Sequence, residues 1–364
     1  MPNYIDEYRD VQLIKTLTGL LSRYDGKPVK LMEVCGTHTM AISKYGIRSI
    51  LPNKIQLVSG PGCPVCVTPS FFINAAIELS RKQQIIITTF GDLMRIPGDD
   101  SSLIAEKAKG ADIRILYSPL DALKIARENP LQKVIWLSVG FETTTPVTAL
   151  AILKAKEEKL NNFLVLTANK TMPMALRLLS ADLSLGIDGF IYPGHVSAIT
   201  GTGMYEELAR DYRIPGVVTG FEPMDILSAI YTLVENSGNN QPIVVNQYRR
   251  VVKAQGNLIA IAKLNEIFIS SDAIWRGIGL IPDSGMVIRE QFAEFDAWKV
   301  FDIKIDTNHK EPQGCLCGEI LKGLKKPVEC PLFAGICTPE KPVGACMVSS
   351  EGTCAAYYKY GGLE

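Results

Sequence analysis

LMEVCGTHTMAISKYG, residues Leu31–Gly46, sets a short apolar run directly before Cys-Gly-Thr-His and follows it with a stretch able to form an amphipathic helix. Strand, polar loop and helix in that order is the repeating unit of an α/β protein. The unit returns along the chain, with IQLVSG, IIITTF, IRILYS, VIWLSV, FLVLTA, GFIYPG and GVVTGF as further β-branched runs before residue 222. The expected fold is α/β, two doubly wound parallel-sheet modules facing a cleft. The modules are assigned to residues 30–128 and 129–222, divided at ARENPLQK (Ala126–Lys133). Residues 223–364 form a third region containing the cysteine-dense segment 315–354, and residues 1–29 pack on that region or on the first module.

Composition limits the function. The 364 residues carry no formal net charge and are 47% hydrophobic. Phosphate contacts need a surplus of Lys and Arg, so no nucleic-acid partner is expected. No apolar stretch approaches the roughly 20 residues that span a bilayer, and MPNYIDEYRD has no secretory core, so the expectation is a cytoplasmic chain away from membranes. Nine cysteines in a reducing compartment point to metal binding or thiol chemistry rather than a disulfide framework.

In open α/β sheets, ligands bind beyond the carboxyl ends of the strands. Cys35 follows the first run, Cys63 and Cys66 the second, Gly91–Arg95 (GDLMR) the third, Glu142 the fifth, Asn169 and Lys170 the sixth, and His195 the seventh. These residues are candidates for one crevice. Cys35 has Gly36 and His38 as neighbours, and a thiolate beside an imidazole is a nucleophile or a soft metal ligand. In SGPGCPVCVTP, the Cys-x-x-Cys pair lies between a strand and a helix, where a helix N-terminus favours the thiolate, and Gly and Pro on both sides expose the turn. In GFETTTP, Thr143–Thr145 read as helix-capping residues with Pro146 in the first turn. His309, in DTNHKEP, reads as a solvated loop residue.

In the tail, Cys315, Cys330, Cys337 and Cys354 have the spacing C-x14-C-x6-C-x16-C, with Cys317 and Cys346 left over. Four thiolates hold zinc or a [4Fe-4S] cluster. Single cysteines interrupted by prolines favour the cluster, although spacing does not fix which four of the six bind.

EVCGTHTMAISKYGI, SGPGCPVCVTP, SVGFETTTP, YPGHVSAITG, IPDSGMVIRE and the spaced tail cysteines together closely resemble the HypD family of hydrogenase maturation proteins, from about residue 30 to the C-terminus. The stretch Ala168–Met174 (ANKTMPM) departs from the family pattern, so the resemblance gives Asn169 and Lys170 no role. It implies a scaffold that assembles the Fe(CN)2CO unit of [NiFe]-hydrogenases together with a HypC-type chaperone, receives cyanide from a HypE-type partner and serves the hydrogenase large subunit indirectly. By that likeness Cys35 is the iron ligand with His38 beside it, Cys63 and Cys66 are the thiol/disulfide pair, and Cys315, Cys330, Cys337 and Cys354 hold a [4Fe-4S] cluster. Glu142, His195 and Glu351 match further polar positions of the family. A stand-alone [4Fe-4S] disulfide reductase and a zinc-stabilised binding protein are the alternatives.

Overall fold

The computed structural model describes residues 9–237, 242–304 and 312–361, so His309 lies outside the described residues. Two parallel sheets form the α/β body. The first has the order β2-β1-β7-β8-β9, with β1 Val29–Glu33, β2 Ile55–Ser59, β7 Gly189–Pro193, β8 Gly216–Thr219 and β9 Val244–Asn246. The second has the order β4-β3-β5-β6, with β3 Ile85–Thr89, β4 Ile113–Ile115, β5 Lys133–Ser138 and β6 Phe163–Thr167. Every residue of β3, β6 and β7 is buried, in keeping with the largely apolar, β-branched and aromatic character of these runs.

The sheets do not follow the sequential division at residues 126–133. β3 pairs with β5 across that stretch, Ile85 opposite Lys133, whereas β1 pairs with β7, Leu31 opposite Gly189. The second sheet is therefore threaded into the middle of the first. Strand partners are chosen by packing between distant segments, which local apolar patterning does not encode.

The C-terminal region opens with the helix Pro223–Glu235, against which the N-terminal helix Val11–Ser22 packs. Leu21, Ile226 and Ile230 join Leu31 of β1 in one buried cluster there. Further on, the stretch from Ile281, which reads as irregular, forms an antiparallel hairpin, β10 Phe268–Trp275 with β11 Gly279–Ile288. Trp275 and Ile281 carry this hairpin into the core that also holds Cys66, Tyr205 and the tail cysteines. Among the described residues, no helix is long and apolar enough to cross a membrane.

Candidate functional site

Cys35 ends the β1 segment and is the N-cap of the helix Gly36–Lys44; its extended backbone lets its carbonyl accept the first helical bond, from Thr39 at 3.0 Å. The Cys63 loop presses against it. Gly36 donates to the Gly62 carbonyl at 2.9 Å, and a Cβ at Gly62 would lie 2.2 Å from the Cys35 nitrogen, so only glycine fits there. The tail closes the other side, where a Cβ at Gly36 would lie 2.6 Å from the Glu351 Cβ, and Thr37 Oγ1 donates to Glu351 Oε1 at 2.6 Å. Burial, reinforced by the nearby Glu351 charge, pushes the Cys35 thiol up to about 12, against opposing hydrogen bonds from the backbone of His38 and Thr37. Burial also raises the Glu351 carboxyl.

His38 is fully buried with Nε2 2.8 Å from the Gly220 carbonyl, and burial lowers it to about 4. His195 opens the helix Gly194–Thr200 at the end of β7 and is exposed. Phe221 contacts both imidazoles, with ring centroids 4.7 Å from His38 and 4.1 Å from His195.

Cys63 and Cys66 are both buried, contrary to the exposed turn expected from their Gly and Pro neighbours, because the loop lies under the tail and against Cys35. Their sulfurs are 2.6 Å apart. The next helix, Ser70–Ser80, begins beyond Pro69, too far along to stabilise a Cys66 thiolate, and burial pushes the Cys66 thiol well up. Cys66 Sγ lies 4.0 Å from the Ala345 carbonyl and against the Cys346 thiol.

All six tail cysteines line a single pocket, together with Leu332 and Phe333. Cys317 and Cys346, left over in the spacing, have sulfurs 2.8 Å apart. They stand between the Cys63–Cys66 pair and the other four, an arrangement that no spacing rule in the sequence reveals. Among the described residues, no three His, Cys, Asp or Glu side chains gather around one point as a single metal ion requires. The GDLMR stretch meets this tail as well, since Asp92 accepts from Ser349 Oγ at 2.7 Å and Arg95 donates to the Pro339 carbonyl at 3.3 Å.

The second sheet contributes buried ionisable groups. Glu142 is 5% exposed; Oε1 accepts from the Met172 N–H at 3.0 Å, Oε2 has no partner, and burial raises the carboxyl to about 7. Tyr205 lies within electrostatic reach of both Glu142 and Cys35. Thr144 and Thr145 do not cap the helix Thr145–Glu157; both hydroxyls donate back to the Phe141 carbonyl, while Pro146 occupies the first turn as expected. Asn169 is structural, accepting from Ser138 and Thr167 and donating to Thr145. Lys170 is 3% exposed, its Nζ 5.8 Å from the Trp275 ring, and burial lowers the amine to about 7. The lysine after the sixth run was the only hint of it in the sequence.

Three segments far apart in sequence thus converge on Cys35, and a thiol path leads from its neighbour Cys63 into the tail. A family model for HypD, described as "Hydrogenase formation hypA family", matches residues 11–361. The chain is 45% identical to the hydrogenase maturation factor HypD of Cupriavidus necator, covering 98% of this chain and 97% of that protein. It is 44% identical to the hydrogenase maturation factor HypD of Escherichia coli strain K12, covering 98% of each. With the match running through the site and nearly end to end, this chain belongs to the HypD family.

Proposed function

We propose that the chain acts in hydrogenase maturation as the scaffold on which the Fe(CN)2CO unit of [NiFe]-hydrogenases is assembled, in complex with a HypC-type chaperone and with cyanide arriving from a HypE-type partner. The observation that carries this reading is the setting of Cys35, a buried thiol at a strand-to-helix junction, enclosed by the Cys63 loop and by Glu351 and touching the Thr37–Glu351 hydrogen bond. Such a thiol stays protonated until a soft metal displaces the proton. Glu351, whose charge already bears on the sulfur, is the acceptor for that proton. A Cys63–Cys66 disulfide returns to the dithiol by taking up two protons and two electrons, the electrons coming in two one-electron steps from the tail cluster.

The tail donors fit a [4Fe-4S] cluster. Cys315, Cys330, Cys337 and Cys354 reach one pocket with apolar walls, and the Val343 N–H points at the Cys337 sulfur at 3.3 Å, a donor that favours a thiolate ligand. When bound there, the cluster supplies electrons one at a time.

Infrared spectra of the chain co-purified anaerobically with its small chaperone should show cyanide and carbonyl bands. Cys35→Ala should retain the fold and the visible absorbance of the cluster yet lose those bands; bands at wild-type intensity would exclude Cys35 as the iron ligand. The second reading, a [4Fe-4S]-dependent disulfide reductase for protein substrates, draws on the contact between Cys66 and Cys346. It is the weaker one because Cys63 and Cys66 are 3% and 0% exposed, beyond reach of a protein disulfide without opening of the site.

A further inference from the structure

Phe221 ends the GVVTGF run and lies outside the cysteine and histidine motifs of the sequence, yet its ring contacts both imidazoles of the site. The preceding carbonyl, Gly220 O, meets His38 Nε2 at 2.8 Å. A carbonyl only accepts, so Nε2 must carry the hydrogen. His38 is fully buried and no hydrogen-bond partner reaches Nδ1, so a second ring proton there would be buried unpaired, and Nδ1 keeps a bare lone pair.

The loop that imposes this tautomer is fixed from several sides. A Cβ at Gly220 would lie 2.2 Å from Asp225 Oδ2, so glycine alone fits. Asp225 Oδ2 also accepts from the Glu222 N–H at 3.2 Å, and Asp225 pairs with both terminal nitrogens of Arg250. Tyr248 meets the Phe221 ring edge-on at 5.9 Å and lies under the Arg250 guanidinium at 4.5 Å. Arg9 pairs with Glu222 at 2.6 Å. Phe221 is thus wedged between a rigid ion-pair frame and the buried imidazole.

We propose that Phe221 is a positioning residue. Wedged against His38, it seats the Gly220 carbonyl on Nε2, locks the imidazole in the Nε2–H tautomer and holds Nδ1 ready as an unpartnered acceptor beside the Cys35 segment. Its contact with exposed His195 makes the same ring the link between the buried imidazole and the surface. That Nδ1 serves chemistry at Cys35 rests on the scaffold reading above; the locked tautomer does not.

The chain has just three histidines, so ring 15N spectra of histidine-labelled, cargo-free protein are tractable, with His195→Gln assigning the exposed one. At neutral pH, His38 should show two separate ring nitrogens, a protonated Nε2 and a bare Nδ1. Phe221→Ala should merge them into the averaged signal of a ring exchanging tautomers, and Phe221→Tyr should restore the separation. An Nδ1–H tautomer or a charged ring in the unmodified protein overturns the proposal whatever the variants do. So does a Phe221→Ala protein that folds with the His38 resonances unchanged. Absence of the cyanide and carbonyl bands alongside a locked tautomer would remove the scaffold reading and leave this one standing.

Discussion

The two cysteine regions are built in opposite ways. Around Cys35 and Cys63, regular strands and backbone hydrogen bonds fix the sulfurs, and Gly36 and Gly62 allow segments to approach to distances no side chain would permit. The segment from Cys315 to Cys354 is turns and short helices, Cys317–Leu321, Pro327–Glu329 and Ala345–Met347, before the helix Thr353–Tyr360 begins. The cysteines line a small pocket within it. The first region is fixed by the fold itself; the second, if its thiols hold a cluster as proposed, should draw part of its order from that group.

The sharpest way to break this contrast is Cys337→Ser. It should abolish the visible absorbance of the cluster and speed amide hydrogen exchange across residues 315–354 while leaving β1 protected, because a hydroxyl is a poor ligand for iron and the segment has little core of its own. Equal protection of both regions would mean that the tail is as preformed as the Cys35 site.

Gly62→Ala tests the preformed side. The added methyl meets the Cys35 backbone at 2.2 Å, where neither partner can give way. Denaturant unfolding should show a loss of about 3 kcal/mol, the upper end of ordinary overpacking. Unchanged stability would show that the loop yields.

Glu142 gives a smaller, pH-dependent effect. Its carboxyl, raised by burial from 4.5 to about 7, holds a proton in the folded chain that the unfolded chain has released. Its contribution is complete below pH 4.5 and is lost as pH rises toward 7, by up to about 3 kcal/mol. Lys170, lowered from 10.5 to about 7, works in the opposite sense, its destabilisation fading as pH rises from 7 to 10.5. Glu142→Gln should therefore flatten the fall between pH 4.5 and 7 in a series of unfolding curves and leave the alkaline limb unchanged. The smallest effect belongs to Cys317→Ser, which should keep the cluster absorbance and alter only the reactivity of Cys346 and Cys66 toward thiol reagents; lost absorbance would place Cys317 among the ligands.

What was legible in the sequence follows the same divide. All eight apolar runs before residue 222 became strands, most of them buried along nearly their whole length, with the edge strand β4 the most exposed. Their partners were not legible, since the pairing of Leu31 with Gly189 rests on packing that neither segment expresses alone. The hairpin strand Gly279–Ile288 escaped notice because Pro282, Asp283 and Gly285 mimic a loop; β10 holds it in place across an irregular register. Cys35, His38 and Glu351 could be named from their motifs, but the burial that governs their acidity could not. Nor could the burial of Lys170, because desolvation depends on the whole fold.

The threading of one sheet through the other also dictates an order of events on the ribosome. β3 to β6 are contiguous and can close their sheet early, and β1 can pair early with β2, whereas the other edge of β1 must wait for β7, whose contacts, such as Lys30 with Asp188, span 158 residues. The contact of Thr37 with Glu351 spans 314. The enclosure around Cys35 is therefore among the last parts of the nascent chain to be completed, and a half-synthesised protein leaves this thiol uncovered.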